Sequence, residues 1–198
     1  SLLIGLNCPL GTAAQLALLA GVVAYDTAAK LLPKEARSEL LLKWPNDVLL
    51  KGGKVAGMLL ESTSEAAPNR CKVVIGTGFN LATFPPDLEQ PATSLAAHGG
   101  TATPAAAFET LAAVTDAWLT HWAEGVAFQT VRRAWLDRAG PTGRPLRVRL
   151  HGEEAEGSYA GLDSGGALRL LMSDGAERRI AAGDVFFATS KSIPNPIA

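Results

Sequence analysis

The chain has 198 residues, of which 47% are apolar and 19% are charged, and its formal net charge is −1. This composition is typical of a folded globular protein of one or two domains, and it argues against intrinsic disorder. Because the net charge is close to zero, the chain lacks the excess of basic residues found in proteins that bind nucleic acids or anionic membranes non-specifically. Neither partner is therefore predicted.

The apolar runs are interrupted by Gly, Pro or Lys before they reach about 18 residues, so no membrane-spanning segment is expected. The start of the chain, "SLLIGL", lacks the basic flank of an export signal, and we predict a cytoplasmic location. Cys8 and Cys71 lie far apart in a chain without export signals, which predicts reduced core thiols.

The first elements predicted are a strand and a helix. "SLLIGL" reads as a strand, and an amphipathic helix is predicted over residues 11–32. Thr12, followed three positions later by Gln15, has the spacing of a capping box at the start of that helix.

Four strands are predicted next. "ELLLKWPNDVLL" indicates two strands separated by a bend at Pro45. "KGGK" predicts a hairpin turn in which Gly52 and Gly53 supply the positive φ angles. "KVAGMLLES" and "CKVVIGTGFNL" then predict the two strands that follow.

The segment "ATFPPDLEQPATSLAAHGGTATP" has no periodicity and predicts a surface loop. A helix follows, with Thr103 as its N-cap and Pro104 in its first turn. Its predicted apolar face consists of Phe108, Leu111, Thr115, Leu119 and Trp122. "FQTVRRAWLDRAG" predicts a shorter helix, and "LRVRL", "EAEGSYAGL", "ALRLLM" and "ERRIAAGDVFF" predict a small β-barrel or sandwich.

The charge and glycine content of residues 43–80 indicates a ligand site. Lys43 and Lys54 lie in strand-like segments with apolar neighbours, where an ammonium group needs a specific anionic partner. Gly57 weakens the strand that contains it unless something approaches the backbone closely, and Gly76 and Gly78 repeat that argument one strand later. These residues alone predict a concave site for an anionic small molecule.

Three motifs resemble the core signature of bacterial biotin protein ligases: "KWPND", then "KVAGMLLE", then "VVIGTGFNL", in this order and at these intervals. The segment from "GRPLRVRLHGEE" to "AAGDV" is similar to the SH3-like C-terminal domain of that family. The resemblance implies an α+β fold, with a mixed β-sheet flanked by helices, as in class II synthetases and biotin ligases, and a small SH3-like barrel. The implied domains are residues 1–141 and 142–190, with a tail at residues 191–198.

The resemblance implies a two-step reaction that uses biotin, ATP and Mg²⁺. Biotin and ATP form biotinyl-5′-AMP, and a lysine of a biotin carboxyl carrier protein then attacks it. The implied catalytic residues are Lys54, Asp47 and Lys43, with Asp47 a candidate for Mg²⁺ as well. The implied biotin-binding residues are Lys54, Gly57, Leu59 and Gly76, and the implied nucleotide-binding residues are Asn46, Asn80 and Gly78.

Family members also carry upstream strands and an arginine- and glycine-rich loop that covers the adenylate. The sequence does not contain this loop, so we expect the site of this chain alone to be incomplete. Two alternatives stay open. The first is a lipoate or octanoate protein ligase, which has a related fold and a comparable lysine, and the second is a non-catalytic module that binds biotin or a carrier protein, because the missing loop leaves half a site. Edge strands of the predicted sheet could pair two copies into a homodimer. The helix-turn-helix of repressor-type members is not found, so DNA regulation is not predicted.

Overall fold

Residues 1–65, 67, 69–86, 90–150 and 153–187 are described by the structure, a computed structural model. The chain divides into two units, Ser1–Gly140 and Pro141–Ala198. The predicted tail, residues 191–198, lies outside the described residues.

The first unit is built on a five-stranded sheet with the order β1-β5-β4-β3-β2. Every pairing between neighbouring strands is antiparallel, and one isolated parallel bridge joins Lys54 to Ala92. The strands are β1 (Leu2–Leu6), β2 (Leu40–Lys43), β3 (Asp47–Leu50), β4 (Gly53–Ser64) and β5 (Cys71–Phe79). The predicted α+β class is confirmed, but the strand pairings are antiparallel, whereas the resemblance implied a mixed sheet.

The hairpin between β3 and β4 turns one residue earlier than predicted. Leu50 pairs with Gly53, and the two turn residues are Lys51 (φ 49°) and Gly52 (φ 82°). Positive φ at both central residues matches the right-handed twist of the flanking strands. Gly53 instead begins β4, and a Cβ placed on it would lie 3.1 Å from the carbonyl carbon of Ala92. Its lack of a side chain therefore makes room for a neighbouring segment and is not needed for the turn.

Helix α2 (Leu16–Leu31) packs on the sheet and against both later helices, α4 (Pro104–Trp122) and α5 (Phe128–Arg138). Most of α2 is buried, including Leu16, Leu19, Val22 and Val23. The α-helices are α1 (Leu10–Ala13), α2 (Leu16–Leu31), α3 (Lys34–Arg37), α4 (Pro104–Trp122) and α5 (Phe128–Arg138).

The stretch Leu10–Leu31 is long and apolar enough to pass as a membrane span, contrary to the expectation from the sequence. Most of it is buried inside the unit, as in the core helix of a folded domain. Burial against the sheet, β2 to β5, accounts for its apolar character.

The predicted capping box is wrong. Thr12 lies inside α1, whose N-cap is Pro9, and no side chain caps that helix. Gln15 serves a different purpose, because its Oε1 accepts a hydrogen bond from the indole Nε1 of Trp122 at 3.0 Å. The Gln15 side chain, which the local pattern assigned to a helix cap, therefore makes a tertiary contact with a buried tryptophan instead.

The start of α4 and the burial of Trp122 are predicted correctly, but the rest of the predicted buried face is not. Thr103 is the N-cap, and its hydroxyl accepts from the backbone N–H of Ala106 at 3.3 Å. Phe108 is exposed, and the buried residues of the helix are Ala107, Val114 and Trp122. Helix α4 packs against α2, and its buried residues include Ala107 and Val114, which were not part of the predicted face.

The second unit holds another antiparallel five-stranded sheet, with the order β10-β6-β7-β8-β9. Its strands are β6 (Pro145–Leu150), β7 (Glu153–Leu162), β8 (Leu168–Leu171), β9 (Glu177–Ile180) and β10 (Asp184–Phe187). The segment predicted as one strand, "ERRIAAGDVFF", is divided into β9 and β10 around Gly183, whose φ is 151°. A Cβ at Gly183 would lie 2.9 Å from the carbonyl oxygen of Arg149, so a glycine is needed there.

Candidate functional site

A concavity of about 570 Å³ lies along β4 and β5. Its floor is backbone, because Gly57 lies opposite Gly78 and Leu59 lies opposite Gly76 in the strand register. Six of the residues proposed from sequence line it: Lys54, Gly57, Leu59, Gly76, Gly78 and Asn80. The structure therefore brings residues from two separate motifs to one surface.

Lys54 lies across the backbone of Gly57. A Cβ on Gly57 would come within 2.8 Å of both Cε and Nζ of Lys54, and within 3.4 Å of Asp47 Oδ1. The glycine thus provides the space in which the lysine side chain lies. The side chain of Lys54 is 39% exposed, so its ammonium is accessible from the concavity.

Asp47 joins the two lysines of the site. Its Oδ1 lies 2.5 Å from Lys54 Nζ, and its Oδ2 lies 2.9 Å from Lys43 Nζ. The Lys43 and Asp47 side chains are only 4% and 9% exposed. Lys43 Nζ also donates a hydrogen bond to Gln90 Oε1. Two ammonium groups and one carboxylate leave a net positive charge, and the accessible cation is Lys54.

The turn at residues 44–46 holds this arrangement in place. Lys43 ends β2 and pairs with Asp47, which begins β3, and Trp44 between them is buried. The backbone carbonyl of Asn46 accepts from Met58 N at 3.0 Å, and its Nδ2 donates to Met58 O. Asn46, proposed as a nucleotide ligand, thus ties the turn to β4 and does not line the concavity.

Asn80 also has structural contacts. Its Nδ2 donates to Lys54 O at 3.1 Å and to Thr93 O at 3.0 Å. Contact with a nucleotide would therefore fall to the side-chain carbonyl oxygen, which can accept from the exocyclic amine of adenine.

Part of the segment predicted as a surface loop belongs to the site. Lys54 N donates to Pro91 O at 2.8 Å, and Thr93 N donates to Lys54 O at 3.0 Å. Ser94 and Leu95, which follow, are buried. Neither this segment nor Gln90 was predicted to belong to the site. The local signal is Gly53, where the absence of a side chain leaves room for Ala92.

Two family models match the chain. The biotin/lipoate A/B protein ligase family matches residues 1–80, and the biotin protein ligase C-terminal domain matches residues 142–188. A biotin-[acetyl-CoA-carboxylase] ligase of Paracoccus denitrificans is 37% identical over 181 residues, which cover 88% of this chain and 73% of that protein. The chain belongs to the biotin protein ligase family.

Other members of the biotin protein ligase family are longer. The bifunctional ligase/repressor BirA of Bacillus subtilis is 29% identical over 188 residues, which cover 92% of this chain but 56% of that protein. The biotin protein ligase of Aquifex aeolicus in complex with biotin and ATP has the same fold, with a TM-score of 0.72 at 20% identity. That match covers 94% of this chain and 77% of the Aquifex chain.

The biotin ligase motifs of this chain do not form a Mg²⁺ site by themselves. Both oxygens of Asp47 face lysine ammonium groups. Within the described ranges, no group of three or more His, Cys, Asp or Glu side chains could hold a metal ion. In this arrangement Asp47 is a counter-ion for Lys43 and Lys54.

A second concavity, of about 620 Å³, lies between helices and contains none of the biotin ligase motif residues. Its lining includes Asp26 and Trp118. Asp26 is already engaged, because it pairs with Arg138 at 2.9 Å and accepts from Trp118 Nε1 at 2.9 Å. The candidate functional site is therefore the concavity at β4 and β5, where the glycine floor and the accessible lysine coincide.

Proposed function

We propose that this chain forms biotinyl-5′-AMP from biotin and ATP and transfers the biotinyl group to a lysine of a biotin carboxyl carrier protein. The observation that carries the proposal is the accessible Lys54 ammonium in the lining of a concavity whose floor is strand backbone. Membership of the biotin protein ligase family supports the same reaction.

In the first step, an oxygen of the biotin carboxylate attacks the α-phosphorus of ATP, and the bond to the β-phosphate oxygen breaks as pyrophosphate leaves. Two anions must approach one another, so a fixed cation at the point of contact lowers the barrier. Lys54 is the accessible cation of the concavity. It is therefore the residue expected to contact the carboxylate and then the phosphate of the adenylate.

The floor of the concavity suits the apolar body of biotin. Without side chains at Gly76 and Gly78, a flat ligand can lie directly against β5, beside the Lys54 side chain that covers Gly57. Leu59 is 66% exposed and supplies apolar surface beside that floor. Pockets that combine apolar lining with a few placed polar groups are typical of small-molecule sites.

In the second step, a neutral lysine amine of the carrier attacks the acyl carbon, AMP leaves, and the amine loses a proton. Asp47 is the only carboxylate that touches Lys54 among the described ion pairs. We assign it the role of holding Lys54, and its contact with the incoming amine stays a prediction. Lys43 is buried behind Asp47, so we assign it to positioning and not to phosphate contact.

The roles of Mg²⁺, of a homodimer and of a cytoplasmic location are predictions within this proposal. Mg²⁺ would arrive bound to the phosphates of ATP, as is usual for this ion, and not in a protein cage. A homodimer formed through the sheet edges and a cytoplasmic location are also proposed, and sedimentation analysis and cell fractionation would test them.

The test is mass-spectrometric detection of the acyl-adenylate after incubation with ATP, Mg²⁺ and either biotin, lipoate or octanoate. The proposal expects biotinyl-5′-AMP and no adenylate of the other acids. Lipoate stays in the assay because the matching family model covers lipoate ligases as well. An adenylate formed only from lipoate or octanoate would reassign the substrate, and biotin binding without pyrophosphate release would identify a non-catalytic module.

A further inference from the structure

Residues 90–93, which we call the strap, lie against the start of β4. The backbone N–H of Lys54 donates to Pro91 O at 2.8 Å, and the backbone C=O of Lys54 accepts from Thr93 N at 3.0 Å. A parallel bridge pairs Lys54 with Ala92. The strap therefore fixes the backbone of the one residue whose side chain must reach the substrate.

Two further features seat the strap closely on β4. The Nδ2 of Asn80 donates to both Lys54 O and Thr93 O, at 3.1 Å and 3.0 Å, and so joins the two segments. Gly53 leaves room for the strap, because a Cβ there would lie 3.1 Å from both the Ala92 carbonyl carbon and Thr93 Cβ. A side chain at position 53 would push the strap away from the lysine.

The strap is also connected to the Lys54 side chain, through a series of polar contacts that begins at Gln90. Gln90 Oε1 accepts from the buried ammonium of Lys43. Lys43 pairs with Asp47 at 2.9 Å, and Asp47 pairs with Lys54 at 2.5 Å. One segment thus contacts Lys54 at its backbone and influences its ammonium through Lys43 and Asp47.

We propose that the strap positions Lys54 for adenylate formation, and that Gln90 is a positioning residue that acts through Lys43 and Asp47. This inference rests on the proposed function of the same site. A buried ammonium needs acceptors, so without Gln90 the Lys43 ammonium would be drawn to Asp47 alone. The carboxylate then moves away from Lys54, and misplacement of a catalytic group by about 1 Å can lower a rate by about 100-fold.

The first experiment compares Gln90→Met with Gln90→Glu. Met has a similar length but no oxygen acceptor, so we expect kcat for biotin-dependent pyrophosphate release to fall by about tenfold, the equivalent of one hydrogen bond to a charged group. The KM for ATP should change little. Glu keeps an acceptor for Lys43 and should restore kcat, but its negative charge should raise the KM for ATP in a salt-dependent way. A loop that only stabilises the fold would not produce this separation of kcat from KM.

The second experiment addresses the backbone contact. Thr93→Pro removes the N–H that donates to Lys54 O, whereas Thr93→Val keeps this N–H and removes only the hydroxyl, which contacts His98 Nε2 at 2.9 Å. We expect kcat to fall in the proline variant and to stay near the parent value in the valine variant. Equal values of kcat in both variants and the parent would count against the backbone contact.

A third measurement does not depend on the proposed activity. Acetic anhydride acetylates accessible lysines, and peptide mass spectrometry gives the ratio of acetylation at Lys54 to that at Lys51, which lies exposed at the hairpin tip. We expect this ratio to rise severalfold in Gln90→Met and in Thr93→Pro, and to stay at the parent value in Gln90→Glu. If the parent chain releases no pyrophosphate, the proposed function fails while this ratio still decides the role of the strap. An unchanged ratio in both Gln90→Met and Thr93→Pro would overturn the inference.

Discussion

Asp47 and Gly57 lie opposite one another in the register of β3 and β4, and this pairing places the Asp47 carboxylate 2.5 Å from the Lys54 ammonium that lies across Gly57. The same carboxylate holds the buried ammonium of Lys43 at 2.9 Å. One acidic side chain therefore serves two cations with different surroundings. Lys43 needs Asp47 for burial, and Lys54 needs it for position.

Asp47→Asn should lower the free energy of unfolding by about 3 kcal/mol, because it leaves the buried Lys43 ammonium without a counter-charge. Urea denaturation followed by circular dichroism measures the change. Lys43→Met in the same background should recover most of the stability, since a buried pair can be replaced by apolar groups at little cost. That double variant should still form the adenylate slowly. A single Asp47→Asn variant as stable as the parent would contradict this account of Lys43.

Gly57→Ala should lower adenylate formation strongly while the chain stays folded. The added Cβ would lie 2.8 Å from Lys54 Cε and Nζ, which form the flexible end of a side chain and can move aside. A displaced Lys54 should cost about 100-fold in kcat. Gly5→Ala is the matched control, because a Cβ on Gly5, in β1, has nothing within 4 Å. Equal activity in both variants would show that the position of Lys54 over Gly57 is not required.

The Asp163 carboxylate should stabilise the second unit near neutral pH, and this contribution should be lost at acid pH. Burial raises the pKa of its carboxyl, but the backbone N–H donors of Ala167 and Gly165 and the Arg179 guanidinium outweigh burial, so its pKa lies below the usual value. A depressed folded-state pKa gives stability that is present above about pH 4, the unfolded value, and is lost as the pH falls through the folded value.

Thermal unfolding of Asp163→Asn and of the parent across this pH range tests the prediction for Asp163. The parent should be more stable near neutral pH, and the difference should shrink below about pH 4. Asp163→Ala should be less stable than Asp163→Asn, because asparagine keeps an oxygen acceptor for the turn at residues 163–167. A difference between parent and Asp163→Asn that does not change with pH would contradict the assignment.

Cys8 should be unreactive in the folded chain. Burial, followed by the influence of Cys71 and Glu124, raises the pKa of its thiol to about 11, which leaves little of the reactive thiolate near neutral pH. Iodoacetamide should therefore label Cys8 much more slowly in buffer than in urea, as peptide mass spectrometry would show. Because the folded pKa is raised, the neutral thiol stabilises the fold below about pH 9, and this contribution is lost as the pH rises toward 11. Equal labelling in buffer and urea would contradict the burial of Cys8.

Local patterns predicted much of the fold. The strands, the hairpin and the N-cap at Thr103 depend on neighbouring residues. Each is present, except that "ERRIAAGDVFF" forms two strands and the turn is displaced by one residue. The family motifs also predicted which residues meet, since Lys54, Gly57 and Gly76 line one concavity.

Contacts between distant segments could not be predicted in this way. Gln90 lies 47 positions from Lys43, in a segment without periodicity, and nothing in its immediate sequence indicates that partner. The capping-box prediction at Thr12 failed for the same reason. The Gln15 side chain accepts a hydrogen bond from the indole of Trp122, which lies 107 positions away. Sequence likewise could not show that Lys43 is buried and Lys54 accessible, since both have apolar neighbours.

The most direct test of the central claim, that Lys54 serves adenylate formation in this concavity, is the rate of biotinyl-5′-AMP formation by the parent, Lys54→Ala and Lys51→Asn. Lys51→Asn is the control, because it removes a nearby lysine from the exposed hairpin tip and asparagine tolerates its φ of 49°. We predict that the parent and Lys51→Asn form the adenylate at similar rates, and that Lys54→Ala is slower by about 2.7–4 kcal/mol of activation free energy. An unchanged rate in Lys54→Ala would contradict the account.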